Sequence, residues 1–270
     1  MPVIATNTAA NTSLYYLARN SRAQEKSLAK VSSGSRIVTA SDDAAGLAVS
    51  TALTSDITTL SQSSTNARQG ISLLQVADGA FKIAENILNR MISLASYSLS
   101  GAVTDNERVF LDTEYTHFES EIDGMRTSTT FNGERIADGS YNHNFQVGVV
   151  ASDVISVNLI NVNLGNFNGI GEDIDAYANA FSAYNALLGD IGIASTGRAI
   201  IGSYLSSFEF RGDIIDTSLE NLKAARSAII DVDLAAEQTN LVGNQVMTES
   251  SIAALAQANK MKSDLLQLVR

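Results

Sequence analysis

The stretch that decides the fold runs from Leu53 to Ala95 and reads LTSDITTLSQSSTNARQGISLLQVADGAFKIAENILNRMISLA. An apolar residue recurs in it at every seventh position, in the series Leu53, Leu60, Ala67, Leu74, Phe81, Leu88 and Ala95. This spacing is typical of a coiled coil, because it keeps one stripe of a helix facing a partner. A companion set is only half apolar, and it comprises Ile57, Ser64, Ile71, Asp78, Glu85 and Ile92. The polar companions favour a seam shared among several helices, so we predict a helix of about 65 Å with partners along its whole length.

A second helix is predicted after Thr104-Asp105-Asn106-Glu107, which fits a capping box. In such a box the hydroxyl and the carboxylate satisfy free amide groups at the helix start. The apolar residues that follow are spaced four, three, four and three apart, namely Leu111, Tyr115, Phe118, Ile122 and Met125. That spacing predicts an amphipathic helix. It should end before Phe131-Asn132-Gly133, because Asn-Gly favours a turn with positive φ.

The middle of the chain changes from helical spacing to alternation. Two alternating segments, Phe145-Val147-Val149 and Ile155-Val157-Leu159, flank Ala151-Ser152-Asp153. They predict a β-hairpin at about residues 144–160. The Gly- and Asn-rich stretch that follows, residues 161–175, is predicted to be a loop.

The last third of the chain returns to helical spacing. Residues 177–188 predict a short helix that closes near Ser195-Thr196-Gly197. Beyond it one heptad face continues with Tyr204, Phe208, Ile215, Leu222 and Ile229, and an alanine-rich apolar pattern follows from Leu234 onward. The predicted fold class is mainly α: a long coiled coil or helical bundle of paired N- and C-terminal segments, packed antiparallel, with a small central β-hairpin.

The composition of the 270 residues excludes several classes of function. The chain has no cysteine, which rules out disulfides, thiolate metal sites and cysteine nucleophiles. A net charge of −11 disfavours nucleic acid as a partner. The only proline is Pro2, so long helices meet no breaker of that kind. No stretch approaches the roughly 18 apolar residues of a membrane span, and the start lacks the features of a secretory signal peptide.

Catalytic arrangements are nearly absent from the sequence. His117 and His143 are far apart and lack ligand spacing, which favours packing or surface roles over metal binding. Two carboxylate pairs, Asp42/Asp43 and Asp231/Asp233, are of a type used in acid–base chemistry. Each pair lies near a predicted helix junction, where capping is the simpler explanation. We predict no enzymatic activity, no cofactor and no metal site.

Several blocks of the sequence resemble the signature of bacterial flagellins. The blocks before the predicted hairpin are AKVSSGSRI at 29–37, SDDAAGLA at 41–48, NARQGISLLQ at 66–75 and TFNG at 130–133. The others are FQVG at 145–148, AARSAIIDVD at 224–233, LAQAN at 255–259 and LLQLVR at 265–270. The resemblance spans about residues 1–160 and 195–270.

This resemblance implies a domain arrangement. Residues 1–40 with 235–270 would form an inner coiled-coil domain, and residues 41–234 an outer helical bundle that carries the hairpin. Flagellins often insert large variable domains in the middle, and only about residues 160–195 are available here, so a compact form is expected. The apolar positions expected to serve assembly are Leu14, Leu17, Leu28, Val31, Leu241, Ile252, Leu255 and Leu265.

The function implied is that of a structural subunit that self-assembles into the helical flagellar filament for swimming motility. Flagellins leave the cell unfolded through the flagellar type III export channel, so a secreted, extracellular protein is expected. The implied partners are other copies of the chain or related flagellins, an export chaperone, and the cap and hook–filament junction proteins, without nucleic acid or membrane. The alternative is a hook–filament junction protein, and the Asp42–Leu47 block favours the filament subunit over it.

The resemblance also implies recognition by host immune receptors. The stretch 29–50 resembles the peptide that plant immune receptors detect, and its candidate residues are Gly34, Arg36, Asp42, Asp43 and Gly46. Arg90, Leu94 and Glu114 fall within segments that resemble the site read by the mammalian Toll-like flagellin receptor. The neighbouring Met91-Ile92-Ser93 departs from the family pattern. The alternative is that Arg90 and Glu114 are lateral-contact or surface groups.

Overall fold

The computed structural model describes the backbone of residues 6–268 and the side chains of residues 6–264. Most of that part of the chain is helical, in α1 (Thr8–Ser33), α2 (Ala44–Ser98), α3 (Asp105–Ser128), α4 (Tyr177–Ile230) and α5 (Leu234–Leu268). Four short strands lie between α3 and α4: β1 (Thr130–Phe131), β2 (Glu134–Arg135), β3 (Asn142–Gln146) and β4 (Val154–Asn158). The predicted fold class, mainly α with a small central β region, is confirmed.

The chain divides into two compact units. The first consists of Met1–Ser55 and Asn221–Arg270, and the second of Asp56–Glu220. These limits fall inside α2 and α4, whereas the sequence-based domains meet close to the α1–α2 and α4–α5 connections, at residues 40–41 and at residues 234–235, just inside α5. In the first unit those connections are tied together, because the Arg36 amide donates to the carbonyl of Ile230 at 2.6 Å. The inner and outer domains stay a prediction about the assembled protein.

In the first unit, α1 and α5 pack against each other antiparallel. The side-chain amide of Asn7 donates to the carbonyl of Ala258 at 3.1 Å, and that of Asn20 to the carbonyl of Met247 at 3.3 Å. Residues later in α1 thus bond residues earlier in α5, as in an antiparallel pair. The predicted antiparallel packing of the two ends is confirmed.

The core of the second unit is built on the heptad stripe of α2. Its members from Leu60 to Ala95 are all buried. The polar companions face α4, where the Arg198 guanidinium pairs with Asp78 at 3.0 Å and with Glu85 at 2.9 Å. The seam is therefore shared with α4, and its sharing among several helices stays a prediction.

The start and the end of α3 follow the sequence signals. The Glu107 carboxylate accepts hydrogen bonds from the backbone amide and the hydroxyl of Thr104, both at 2.8 Å. These two bonds hold the pKa of Glu107 below its usual value, because they stabilise the ionised form. After α3, β1 and β2 form a hairpin whose turn residues Asn132 and Gly133 have φ of 52° and 83°. Both helix signals are confirmed.

The second hairpin pairs β3 with β4, from Asn142 opposite Asn158 to Gln146 opposite Val154. The predicted hairpin is confirmed, with its strands placed about two residues earlier than expected. Val147 and Leu159 lie just beyond the strands, and the Val147 amide donates to the carbonyl of Asp153 at 2.8 Å to close the reversal. The predicted loop that follows contains one 3₁₀ turn, Leu164–Asn166.

The predicted helix end near Ser195-Thr196-Gly197 is wrong, since α4 continues without interruption to Ile230. A β-carbon on Gly197 would lie 2.8 Å from Cε1 of Phe81, so the glycine allows two helices to approach closely. In the sequence, a glycine at a contact between two helices cannot be distinguished from a glycine that ends a helix. Tertiary packing decides between the two.

Candidate assembly surface

The terminal helices bury very little of their own surface. The buried residues of α1 are Ala10 and Ser27, and those of α5 with described side chains are Ser251 and Ala258. All four are small. By contrast, α4 buries large side chains such as Ile201 and Phe208. The α1–α5 pair therefore has almost no large apolar core of its own.

The large apolar side chains of the pair lie on its surface. Of the predicted assembly residues, Leu14 is 54% exposed, Leu28 51% and Ile252 53%, while Leu17, Val31, Leu241 and Leu255 are half-buried. The side chain of Leu265 lies outside the described residues. Further apolar residues of the pair that are about half exposed or more are Tyr15, Tyr16, Leu234, Val242, Val246, Met247 and Met261. We refer to the apolar residues of this paragraph with described side chains as the terminal apolar face.

A shallow groove of about 580 Å³ runs between α1 and α5. Its lining combines apolar and polar groups, including Tyr16, Asn20, Met247 and Ser251. The groove belongs to the terminal pair alone and extends the terminal apolar face between the two helices.

In the second unit, exposed aromatic residues lie opposite the core. Phe110 of α3 is 75% exposed and Phe210 of α4 is 71% exposed, and Ile214 lies one turn beyond Phe210. Phe210 follows buried Phe208 by two positions, which places it about 200° away around the helix. Sequence reasoning missed these residues. The sequence signal that could have identified them is a large aromatic residue on the otherwise polar face of an amphipathic helix.

Arg90 and Glu114 meet on the surface between α2 and α3. The Arg90 guanidinium contacts the Glu114 carboxylate with Nη2 at 2.6 Å and Nε at 3.0 Å. Both side chains are about half exposed, so the pair is worth at most about 1 kcal/mol to the fold. Leu94 is only 4% exposed and lies in the core. The structure thus brings two of the three receptor candidates together at the surface and buries the third.

The signature block between α1 and α2, residues 34–46, is held in place by hydrogen bonds that cap the two helices. Gly34 ends α1 with φ of 67°, a conformation that glycine adopts without strain. Nη2 of Arg36 donates to the carbonyl of Ile229 at 2.8 Å. The block therefore closes α1 and binds the end of α4.

The aspartates of the same block serve the connection in different ways. Asp42 pairs with Lys26 at 2.7 Å and accepts from the amides of Val38 and Thr39, and these bonds hold the pKa of Asp42 well below its usual range. Asp43 accepts from the Gly46 amide at 2.8 Å and so caps α2. A β-carbon on Gly46 would lie 2.9 Å from the Ile37 side chain, which explains the glycine there.

Two further signature blocks meet in the core of the second unit. The Asn66 side-chain amide donates to the carbonyl of Gln146 at 3.0 Å, which fastens the β3–β4 hairpin to α2. Gly70 lies against the ring of Phe208, and Phe145 packs edge-on to that ring at 5.4 Å. These blocks build the fold and carry no reactive group.

The remaining polar candidates also have structural partners. Asp233 accepts from the amides of Ala235 and Ala236 at 3.0 Å and caps α5, as expected for that carboxylate pair. His143 contacts Glu134 at 2.9 Å. Among the described residues, no group of three or more His, Cys, Asp or Glu is placed to hold a metal ion. None of the described helices combines the length and apolarity needed to cross a membrane.

Comparison with protein families finds matches at both ends of the chain. Residues 4–142 match the bacterial flagellin N-terminal helical region. Residues 190–269 match the bacterial flagellin C-terminal helical region. Only residues 143–189 lie between the two matched regions.

Comparison with individual proteins gives the same result. The flagellin of Halalkalibacterium halodurans is 35% identical over 249 residues, which cover 91% of this chain and 92% of that protein. The flagellin of Bacillus subtilis is 33% identical, and the alignment covers 98% of this chain and 98% of that protein. The crystal structure of Bacillus cereus flagellin superposes with a TM-score of 0.50 at 24% identity and covers 60% of this chain and 94% of that one. The last comparison bears on the fold alone.

Proposed function

Because this chain belongs to the flagellin family, we propose that its copies polymerise by burying the terminal apolar face of one subunit against its neighbours. As a flagellin, the protein is a structural subunit of the flagellar filament and serves motility, and it is not an enzyme. It is a compact flagellin, with only residues 143–189 between the two matched regions.

The observation that carries the proposal is the contrast between what α1 and α5 bury and what they expose. Helices of this kind are marginal in water unless tertiary packing stabilises them, and here the buried residues are Ala10, Ser27, Ser251 and Ala258. Fully burying a leucine or isoleucine side chain contributes about 1.5–3 kcal/mol. Covering the terminal apolar face in a polymer would therefore supply several kcal/mol that the single chain lacks.

A filament also requires contacts that do not close on themselves. Heterologous contacts between different patches of identical subunits form an open helical polymer when the rotation between neighbours does not close a ring, whereas isologous contacts end in a dimer. The chain offers different patches for this purpose: the terminal apolar face in one unit, and the faces around Phe110 and Phe210 in the other. These aromatic faces are our candidates for additional subunit contacts.

Electron microscopy of the purified chain tests the proposal. We expect long helical filaments, whereas short rings would favour the alternative, a hook–filament junction protein. Leu28→Asp places a charge on the terminal apolar face and should abolish filaments. Asn11→Asp adds the same charge at an exposed polar position of α1 and should leave them intact. Equal filament formation by both variants would contradict a role for this face.

Family membership also places the protein in the extracellular filament. We propose that it reaches this location through the flagellar export channel, and that it contacts an export chaperone and the cap and hook–filament junction proteins. The support is the match of both terminal regions to the family.

We further propose that host immune receptors read the surface at Arg90 and Glu114. What supports this is that both side chains are exposed and adjacent, so one receptor surface can contact them together. Leu94 would act through the shape of the core beneath them. The block 34–46 would have to leave its capping contacts before a receptor could bind it as an extended peptide.

A further inference from the structure

The methionines with described side chains fall into two groups by exposure. Met91 is fully buried in α2 and Met125 is half-buried in α3, and both belong to the second unit. Met247 is 50% exposed and Met261 is 55% exposed, and both belong to α5. Among these residues, exposed thioethers therefore occur only on the helix pair that carries the terminal apolar face.

Met247 and Met261 lie on the same side of α5. They are two heptads apart, which places them within about 40° of each other around the helix and about 21 Å apart along it. Ala254, midway between them, lines the groove between α1 and α5 together with Met247 and Tyr16. The two thioethers are thus spaced along the surface that the proposed polymer covers.

Hydrogen peroxide oxidises a thioether to a sulfoxide. The sulfur lone pair bonds one oxygen of the peroxide, the O–O bond breaks, and the other oxygen leaves as water after proton transfer. The sulfur is oxidised by two electrons and the peroxide is reduced. Peroxide must reach the sulfur, so Met247 and Met261 should react before the buried Met91. The chain has no cysteine that would consume the oxidant first.

We propose that Met247 and Met261 are oxidation sites through which a peroxide controls assembly: sulfoxides formed there on the unassembled chain prevent burial of the terminal apolar face. A sulfoxide is polar, and burying a polar group at an apolar contact without a hydrogen-bond partner opposes association. Assembled chain is protected, because neighbouring subunits cover the same sulfurs in the proposed polymer. The inference rests on the proposed function, since it takes the terminal apolar face as the subunit contact.

Peroxide treatment before assembly tests the inference. Soluble chain is treated with hydrogen peroxide, freed of peroxide with catalase and allowed to assemble. Peptide mass spectrometry locates the sulfoxides, and sedimentation measures the concentration of chain left unpolymerised. We expect sulfoxides at Met247 and Met261, little at Met91, and an unpolymerised concentration raised at least about tenfold, or about 1.4 kcal/mol per subunit. Methionine sulfoxide reductases A and B, applied to the oxidised chain, should restore assembly.

Leucine variants identify the sulfurs responsible. Met247→Leu with Met261→Leu keeps similar size and apolarity but removes the oxidisable atoms, so this variant should assemble equally well before and after peroxide. The matched control is Met91→Leu with Met125→Leu, which makes the same replacement in the second unit and should remain as sensitive as the unsubstituted chain. Finished filaments, treated under the same conditions, should keep Met247 and Met261 unoxidised.

Equal assembly of untreated and oxidised chain, with sulfoxides present at Met247 and Met261, would overturn the inference. An equal loss of assembly in the Met247→Leu/Met261→Leu variant would do the same, as would preferential oxidation of Met91 or equally fast oxidation of the α5 methionines within filaments. In each of these results the untreated chain still polymerises. Failure of the untreated chain to form filaments would instead contradict the proposed function, and the inference would fall with it.

Discussion

Gly197 of α4 lies against the ring of Phe81 in α2, at a distance that leaves no room for a β-carbon. Such an atom would stand 2.8 Å from Cε1 and 3.2 Å from Cδ1 of the ring. Phe81 is fully buried and belongs to the heptad stripe that decides the fold. The contact shows how a continuous 54-residue helix accommodates a residue that usually ends one.

Gly197→Ala should therefore destabilise the second unit by about 1–3 kcal/mol, because overpacking displaces the Phe81 ring. Gly202→Ala is the matched control, since nothing lies within 4 Å of its added β-carbon. Alanine favours a helix over glycine by up to about 1 kcal/mol, so the control should be stabilised. Urea unfolding followed by circular dichroism measures both. Similar free energies of unfolding for the two variants would show that the contact is loose.

Much of this fold could be predicted from the sequence because its core is periodic. The heptad stripe from Leu60 to Ala95, the cap at Thr104 and the turn at Asn132 depend on local spacing and local chemistry. The continuity of α4 through Gly197 and the burial of Leu94 depend on which neighbour each side chain meets. The exposed Phe110 and Phe210 were missed because periodicity identifies the buried face of a helix and not an aromatic residue on the other face.

Arg198→Leu should reduce stability by about 1 kcal/mol, because the side chain joins α4 to both Asp78 and Glu85 of α2. The loss should shrink as salt is added, since screening weakens ion pairs at partly exposed positions. Arg126→Leu removes a pair that lies within one helix and should cost less. Urea unfolding at low and high ionic strength measures the difference. An equal, salt-independent loss in both variants would point to side-chain packing instead.

Asp190 gives the second unit a pH dependence. It is fully buried in α4 and accepts from the amides of Asn168 and Gly169, both at 2.7 Å. Burial raises the pKa of this carboxyl above its ordinary value of 3.8, and the two hydrogen bonds offset only part of that effect. The folded state then holds the proton more tightly than the unfolded state. Its contribution to stability is complete below the ordinary pKa and is lost as the pH rises through the folded value.

The Asp190→Asn variant tests this sign. Asparagine does not titrate. The free energy of unfolding of the variant should therefore rise relative to that of the unsubstituted chain as the pH rises from about 3.8 toward neutral. Glu119→Gln should behave in the same direction, because burial also raises the pKa of Glu119. Unfolding curves across this range provide the measurement. A stability difference that is constant with pH would rule out a raised pKa at Asp190.

Receptor recognition at the α2–α3 surface predicts that Arg90→Ala and Glu114→Ala each lower the response of cells that report on the Toll-like flagellin receptor. Arg135→Ala alters an exposed charge elsewhere and serves as the control. Because the Arg90–Glu114 pair is exposed, neither variant should unfold the chain. No response to the unsubstituted chain, or equal responses to all variants, would leave Arg90 and Glu114 as surface or lateral-contact groups only.

Amide hydrogen exchange, compared between soluble chain and sedimented filaments, tests most directly whether assembly completes the terminal helices. We predict that α1 and α5 exchange rapidly in the soluble chain and slowly in filaments, because their large apolar side chains are exposed in the single chain and would be covered by neighbouring subunits in the proposed polymer. The buried part of α2 should be protected in both states. Strong protection of residues 8–30 and 240–264 in the soluble chain would contradict the coupling of folding to assembly.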